Sequence, residues 1–476
     1  MVAIGSIKAW KPGRGPVTTW TASSATLAHM AQAGRDPLPA SFQQESHLLS
    51  AYRAKQLGTE GPRLIMTAWD IDGWCDVAAM TEAINTHVRR HDAYHSAFDV
   101  TADSVVRRTI DDPERIEFVP TVMGFMEADE VRAHVATQTP GTLEWDCFTF
   151  GVIQKEDHFT FYANIDHLYT DGSSAVVIYN DIDSTYKALV GKTANRLPKA
   201  GDYRDFTSRQ RMQVSAMTAD SRPVKDWVDF ARETDGNMPT FPLSLGSYES
   251  NAGGVVTIEL LNGAETQAFD TACRAAGARF SGGVMACAAL ADHRLTGEES
   301  FHVYTPSDMR AVEAGSVTAG WYASLFPVSV DTANTDFAQA AREAQKSFDA
   351  NKHLSVIPMR KALDLVSEEE LGVTIASRPS MMVSLMDMRK LTDADASNMG
   401  IYIDNLNYGD VNMWVTRNAD QTIVTVSFPD NAQARRSVHH YLGVLRAAFT
   451  DAAKLTTDWE DEIAGRGYAH SAQLAG

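Results

Sequence analysis

The sequence predicts a mixed α/β protein (α+β type) built from two lobes, each a mixed sheet with flanking helices. Two observations support this prediction. Strand-like and helix-like patterns alternate in both halves of the 476-residue chain, and proline and glycine turn signals concentrate between the halves. We therefore assign residues 1–200 to an N-terminal lobe, residues 201–250 to a connecting segment and residues 251–476 to a C-terminal lobe.

The N-terminal lobe contains one clear strand–turn–helix unit. Alternate positions between residues 158 and 167 are apolar, which predicts a strand with one buried face. Ser173 is then predicted to cap a helix that ends near Gly191. Asp76 is predicted to cap an earlier helix, and the remaining predicted elements are an extended stretch at 97–106 and a helix at 127–136.

The second half repeats this alternation after a charged helical segment at residues 205–233. The predicted strands cover residues 255–261, 303–305, 325–330, 380–386, 411–417 and 422–428. The predicted helices cover residues 263–277, 282–295, 337–352 and 434–453. Both lobes therefore follow the same pattern of strands and helices.

The net charge narrows the class of ligand. The 42 basic and 61 acidic residues give a formal charge of −19, and such a surface repels phosphate backbones and anionic lipid. Nucleic-acid binding is therefore not expected. A single cleft can still be basic, so an anionic co-substrate is permitted.

The cysteines and the apolar segments predict a cytoplasmic protein. The four cysteines are scattered without a C-x-x-C pair, which is typical of buried thiols in a reducing compartment. The longest apolar run, residues 284–291, is far shorter than the ~18 residues that span a bilayer, and residues 1–12 lack a signal-peptide pattern. Peripheral contact with the inner face of the plasma membrane stays open.

Residues 167–172 form an H-x-x-x-D-G motif directly after the predicted strand. His167 ends the strand, Asp171 provides a carboxylate in the turn, and Gly172 is expected to permit a sharp bend. An imidazole with a pKa of about 6.5 can accept a proton from an alcohol and return it to a leaving group at neutral pH. The motif therefore suits a general base, although a core histidine followed by a turn carboxylate fits the spacing equally well.

The motif resembles the active-site signature of the chloramphenicol acetyltransferase/condensation-domain superfamily of CoA-dependent acyltransferases. Four further segments resemble superfamily patterns in the right order: P-A-S-F-Q-Q at residues 39–44, R-H-D-A-Y-H-S-A-F at 90–98, T-P-S-D-M-R at 305–310 and G-W-Y-A-S-L-F-P-V at 320–328. Five ordered matches are much harder to obtain by chance than one. They cover roughly residues 38–330.

Within this superfamily the chain resembles the mycobacterial polyketide-synthase-associated (Pap) acyltransferases that acylate trehalose. The specific segments are L-E-W-D-C-F at residues 143–148, D-H-F-T-F-Y-A at 157–163, A-G-A-R-F-S-G-G-V at 276–284 and V-T-V-S-F-P-D-N at 424–431. This resemblance extends over nearly the whole chain. It favours the branch that makes diacyl- and polyacyl-trehaloses, and a sulfolipid-type branch is similar.

Two departures from the superfamily pattern concern the active site and the lobe contact. A second histidine often precedes the catalytic one, and here that position is Asp166. Strand alternation places Asp166 on the opposite face, so the base is expected to work without that second histidine. The C-terminal D-F-G-W-G motif is not found, and the nearest stretch is N-Y-G-D at residues 407–410. How the lobes are held together is therefore not predicted.

The resemblance implies a tunnel between two chloramphenicol-acetyltransferase-like lobes, which donor and acceptor enter from opposite faces. His167 would be the general base at its middle, and no acyl-enzyme would form. Asp171 would pair with Arg310 and orient the loop that carries His167, with Gly172 as structural support. The candidate substrate-binding residues are Tyr169, Thr170, Trp321 and Ser324. The sequence does not identify the oxyanion donor that the reaction requires.

The implied function is transfer of a palmitoyl-like acyl group from acyl-CoA to a hydroxyl of trehalose, in synthesis of acyltrehalose glycolipids of the cell envelope. Acyl-CoA would be a co-substrate, and no bound cofactor is expected. Three alternatives stay open: a carrier-protein-bound donor, a sulfated trehalose acceptor, and a non-catalytic scaffold that contacts a polyketide synthase or lipid transporter.

Three histidines raise the question of a metal site. His87, His91 and His95 are spaced by four residues, like ligands on one helix face. The helix is expected to end near His91, which would separate His95 from the other two. The sequence therefore predicts no metal site.

Overall fold

The structure, a computed structural model, describes residues 2–247, 252–310, 317–376, 379–389 and 397–473. Within these ranges it confirms the α/β architecture of two lobes. The strands are β1 (Ala3–Ser6), β2 (Gly15–Ala22), β3 (Gly34–Arg35), β4 (Leu64–Asp72), β5 (Ser96–Val100), β6 (Val105–Thr109), β7 (Phe118–Met126), β8 (Phe148–Gln154), β9 (His158–Asp166), β10 (Gly253–Asn262), β11 (Ser300–Asp308), β12 (Ala323–Asp331), β13 (Met381–Asp387), β14 (Ser397–Ile403), β15 (Val411–Arg417) and β16 (Gln421–Pro429).

Helices cover the sheets of both lobes. They are α1 (Ser24–Ala31), α2 (Phe42–Gln56), α3 (Val77–Arg90), α4 (Ala128–Gln138), α5 (Gly172–Val190), α6 (Tyr203–Ser215), α7 (Arg222–Glu233), α8 (Gly263–Ala275), α9 (Phe280–Thr296), α10 (Phe337–Asn351), α11 (Met359–Leu363), α12 (Glu368–Leu371) and α13 (Ala432–Gln473). The N-terminal sheet has the order β1-β14-β4-β9-β8-β2-β7, and the C-terminal sheet has the order β10-β16-β15-β13-β11-β12. Strands β3, β6 and β5 form a small third sheet.

The lobe boundaries differ from those assigned from the sequence. Strand β14 lies between β1 and β4 in the N-terminal sheet, so residues 251–476 do not form a separate lobe. Residues 201–250 hold α6 and α7, and Trp227 of α7 packs into the C-terminal core. The charged helical segment predicted over residues 205–233 is two helices, and the second begins at Arg222 with a proline in its first turn.

The crossing strand holds the two halves together. Gly400 of β14 pairs with Ala3 of β1 on one side and with Ala68 of β4 on the other. Thr257 and Thr425, on β10 and β16 of the C-terminal sheet, both donate hydrogen bonds to the backbone oxygen of β1 residue Ile4. Backbone pairing therefore joins the lobes.

The strand–turn–helix unit is present, with two corrections. Strand β9 is buried on both faces rather than one, because α5 covers the face of Phe161 and α4 covers the face of Tyr162. Helix α5 is capped by Asp171 and not by Ser173: the Asp171 carboxylate accepts a hydrogen bond from Ser174 N. The helix therefore starts immediately after the turn that follows His167.

Two further sequence expectations concern cysteines and membrane spans. All four cysteines are free thiols; three are buried as expected, whereas Cys75 is only partly buried. Among the helices in the described ranges, none combines the length and the apolar character that crossing a bilayer requires. The apolar residues pack instead into one main core in each lobe.

Candidate active site

A cavity of about 1690 Å³ lies between the lobes and is lined by residues of both. It exceeds the ~300–1,000 Å³ of an ordinary small-molecule site, so it has room for two substrates. The wall contributed by the C-terminal lobe is largely apolar. Its apolar residues include Met238, Tyr304, Met359, Met382, Leu385, Met386 and Trp414.

His167 lies in the wall of this cavity. It follows β9 directly and begins a short 3₁₀ turn, His167–Tyr169, which Asp166 caps by accepting from Leu168 N at 2.9 Å. The backbone N–H of His167 donates to Arg63 O at 2.6 Å. The indole of Trp321 stacks on the imidazole with ring centroids 3.6 Å apart. These contacts fix both the backbone and the ring of His167.

The environment of His167 favours the neutral imidazole. Burial, together with the neighbouring His47, lowers the pKa of His167 to about 4. A neutral imidazole is the form that accepts a proton, so this ring is ready to act as a base at neutral pH.

The pKa of His167 can be measured directly. Because its folded value is depressed, we expect its imidazole signals in an NMR titration to stay unchanged from pH 8 down to pH 6 and to move only at lower pH. The signals of His167 are identified as those that disappear from the spectrum of the His167→Ala protein. A midpoint at or above the ordinary histidine value of about 6.5 would contradict this description of the site.

The predicted ion pair between Asp171 and Arg310 is present and bidentate. Arg310 Nη1 lies 3.1 Å from Asp171 Oδ2, and Nη2 lies 2.9 Å from Oδ1. The backbone N–H groups of Tyr322 and Ala323 donate to the same carboxylate at 2.9 and 3.2 Å. Burial alone would raise the pKa of Asp171, but Arg310 and the backbone donors hold it below its usual range. Asp171 thus connects the start of α5 to Arg310, just after β11, and to the start of β12.

The P-A-S-F-Q-Q segment supports the same loop. Ser41 and Gln44 form a capping box at the start of α2. The Gln44 side chain also donates to Leu168 O at 3.0 Å. This motif of the N-terminal lobe therefore stabilises the turn that carries His167.

The other predicted site residues fall into two groups. Trp321 and Ser324 line the cavity, as does Gly172. Tyr169 and Thr170 are buried away from it, and the Tyr169 hydroxyl donates to Ser96 O at 2.8 Å. The structure therefore does not bring these two side chains to the position of a substrate.

Gly172 was expected to permit a sharp bend before the helix, and this expectation is wrong. Gly172 begins α5 with an ordinary helical backbone and not with a left-handed one. A Cβ atom at this position would lie 3.4 Å from Met386 Cε, an ordinary contact. The bend before α5 comes from the extended backbone of Asp171, so it does not depend on the conformational freedom of glycine.

Sequence reasoning missed His47 and assigned no role to Asp166. His47 Nε2 lies 2.8 Å from Asp166 Oδ1, although the two residues are 119 positions apart. His47 also lines the cavity. No local pattern links the two positions, so only the tertiary structure could reveal this pair.

Two of the three candidate metal ligands, His87 and His91, lie in a compact hydrogen-bonded cluster with Asp181. In the part of the chain that the structure describes, His87, His91 and Asp181 bring ligand atoms within 4.8 Å of one another. His91 uses both ring nitrogens, one towards Asp181 at 2.7 Å and one accepting from Ala319 N at 3.3 Å. Arg90 also pairs with Asp181, at 3.0 Å. These contacts account for the cluster without an ion, and the lack of a metal site stays a prediction.

A comparison with protein families identifies the class. The family described as the condensation domain matches residues 53–360, which is well over half of the chain. The two lobes, the cavity between them and the histidine in its wall therefore define a condensation-domain protein.

Similar proteins narrow the class further. Acyltransferase PapA3 of Mycobacterium tuberculosis is 37% identical over 463 residues, covering 95% of this chain and 97% of the relative. Trehalose-2-sulfate acyltransferase PapA2 of the same organism is 40% identical over 457 residues, covering 94% and 97%. A solved PapA2 acyl transferase structure superposes with a TM-score of 0.90 and covers 95% of this chain and 99% of that one. The chain belongs to the Pap acyltransferases of the condensation-domain family.

Proposed function

We propose that this acyltransferase moves a long, palmitoyl-like acyl group from acyl-CoA to a hydroxyl of trehalose, in synthesis of cell-envelope glycolipids. The observation that carries the proposal is His167, a histidine with a depressed pKa in the wall of a cavity that both lobes line. The name of PapA2 supports a trehalose-based acceptor. Because that name specifies trehalose-2-sulfate, free and sulfated trehalose are both tested below.

The reaction needs one base and no covalent intermediate. His167 takes the proton of the sugar hydroxyl while the hydroxyl oxygen attacks the thioester carbon. The new C–O bond forms as the carbonyl electron pair moves onto its oxygen. When that pair returns, the C–S bond breaks, and the leaving thiolate takes the proton from His167. The products are the acylated sugar and free CoA, and the enzyme gains from holding both substrates together.

Asp171 acts as a positioning residue in this proposal. Its carboxylate faces Arg310 and the cap of α5, where it holds the His167 loop against the C-terminal lobe. Trp321 fixes the plane of the imidazole by stacking on it. Ser324 lies in the cavity wall, where its hydroxyl is a candidate hydrogen-bonding group for substrate.

The direct test is acyl transfer by the purified protein. Palmitoyl-CoA is mixed with trehalose or with trehalose-2-sulfate, and free thiol and acylated sugar are followed by mass spectrometry. Acylated sugar from the wild type, and not from His167→Ala, supports the proposal. Thiol release without an acylated sugar means that the acceptor is wrong, whereas transfer only from a carrier-protein thioester means that the donor is wrong. No transfer from any donor leaves the scaffold alternative.

The apolar wall predicts how acyl length is selected. Met382 on β13 lies opposite Tyr304 of β11 and lines the cavity. We expect Met382→Trp to lower kcat/KM for palmitoyl-CoA by about tenfold relative to acetyl-CoA, because the larger side chain fills space that a long chain needs. Met212→Trp, at a position 63% exposed on α6, is the matched control. An equal change for both donors would contradict an acyl site at Met382.

A further inference from the structure

A second imidazole lies beside His167 in the cavity wall. The ring centroid of His47, on α2, is 6.5 Å from that of His167. Trp321 contacts both rings, at 3.6 Å from His167 and in an edge-on arrangement at 5.4 Å from His47. The proton transfer assigned to His167 does not use His47, so the position of this second ring needs its own explanation.

A fully buried carboxylate holds His47. Asp166 Oδ1 accepts from His47 Nε2 at 2.8 Å, and Oδ2 accepts from Thr142 Oγ1 at 2.6 Å. The Asp166 side chain is 0% exposed. Burial alone would raise the pKa of Asp166, but His47 and the hydrogen-bond donors Thr142 and Leu168 N hold it below its usual range. Asp166 is therefore an anion, and an anion can only accept the His47 Nε2 proton.

His47 is also the nearer basic partner of this anion. Arg63 reaches Asp166 only at 3.5 Å and directs its guanidinium to Thr139 O and Pro140 O, at 2.9 Å each. A buried carboxylate is retained where a cation pairs with it. With Nε2 held by Asp166, Nδ1 is the ring nitrogen of His47 that remains for a ligand in the cavity.

We propose that His47 is the oxyanion donor of the acyl transfer and that Asp166 is its positioning residue. This inference rests on the proposed function. When the sugar oxygen attacks, the carbonyl electron pair moves onto the thioester oxygen. In this proposal His47 is an imidazolium with a proton on each ring nitrogen: Nε2–H stays on Asp166, and Nδ1–H donates a hydrogen bond to the thioester oxygen. When the pair returns and the C–S bond breaks, the thiolate takes the proton held by His167. His47 keeps both of its ring protons throughout.

The spacing of the two rings suits this division of roles. An oxyanion donor lies ~2.7–3.1 Å from the oxygen that it stabilises, and a general base lies ~2.6–3.2 Å from the oxygen that it deprotonates. Both oxygens belong to one tetrahedral carbon. A gap of 6.5 Å between the ring centroids accommodates that carbon with one oxygen facing each ring, while Trp321 closes one side.

The test compares two replacements of His47. His47→Leu removes the donor, and we expect kcat to fall by about 10²–10³-fold while KM for acyl-CoA hardly changes. His47→Gln keeps an amide N–H donor, and we expect it to recover at least about tenfold of that loss. A residue acting as a second base would show no such recovery. His440→Leu, on the exposed side of α13, is the matched control for losing an imidazole.

A spectroscopic measurement separates this role from turnover. Palmitoyl-CoA labelled with ¹³C at the thioester carbonyl is bound to the protein, and its carbonyl stretch is recorded by isotope-edited infrared spectroscopy. We expect a lower frequency on the wild type than in water, and loss of this shift in His47→Leu. Circular dichroism and thermal melting establish that each variant is folded. Asp166→Asn provides a second variant, and we expect it to lower kcat without changing KM.

Each outcome decides the inference. Unchanged kcat in a folded His47→Leu, or equal losses in the Leu and Gln variants, overturns it. A carbonyl shift that depends on His47, in a wild type that acylates no sugar, supports the role of His47 and rejects the proposed acceptor. A wild type that binds no acyl-CoA rejects the proposed donor, and the role of His47 with it.

Discussion

Replacing His167 by alanine is expected to reduce acyl transfer by about 10²–10⁴-fold, the usual contribution of a positioned general base. The loss should appear in kcat, because the imidazole acts on the proton that moves in the transition state. His167 is not an anchor of the fold: its ring lies at the cavity wall and stacks on Trp321, while the His47 ring centroid lies 6.5 Å away. We therefore expect the melting temperature of the variant to stay close to that of the wild type. Thermal melting and single-turnover kinetics measure the two effects on the same protein.

The control for this variant is His440→Ala, which removes an exposed imidazole far from the chain segment that carries the motif. Its activity should match that of the wild type. Full activity in a folded His167→Ala protein would rule out a general-base role for this residue.

Breaking the ion pair between Asp171 and Arg310 is expected to cost stability as well as activity. Both side chains are nearly fully buried, at 3% and 4% exposure. Arg310→Met leaves a buried carboxylate without its cation, which typically destabilises a protein by about 3–5 kcal/mol. Asp171→Asn also removes the charge, although it keeps one oxygen that can accept from Ser174 N. Chemical denaturation and thermal melting measure the stability of both variants.

Lowering the pH should remove the stability that this ion pair contributes. The pKa of Asp171 is lowered in the folded protein, so its contribution to stability is present above the unfolded value of about 3.9 and is lost as pH falls below it. We expect Asp171→Asn to remove this part of the acid sensitivity. The exposed pair Arg209–Asp205 is the control, since breaking such a pair changes stability by about 1 kcal/mol or less. A stable, active Arg310→Met would contradict the positioning role of Asp171.

Local patterns placed most of the predicted helices and strands within three residues of their bounds, but they missed whole strands of the N-terminal sheet. Helix α3 begins after Asp76 because its carboxylate accepts from Ala78 N and Ala79 N, and that cap is visible in the sequence. Strand β4 has no clean alternation, because both of its faces are buried: Trp69 packs into one core and Ala68 into another. Strand β14 was missed because its position depends on β1 and β4, which are more than 300 residues away along the chain.

The sequence by itself determined the class of protein, the candidate general base and the residue that pairs with the carboxylate of its loop. These depend on short motifs whose spacing is fixed by local backbone geometry: His167 and Asp171 lie in the segment between β9 and α5, and Arg310 lies two residues after the end of β11. The tertiary structure alone decided which side chains share the cavity. His47 meets Asp166 across 119 residues, and Tyr169 packs inward rather than towards the cavity. The reason is physical: contacts between distant segments are set by how the sheets and helices pack, and a local pattern carries no record of that packing.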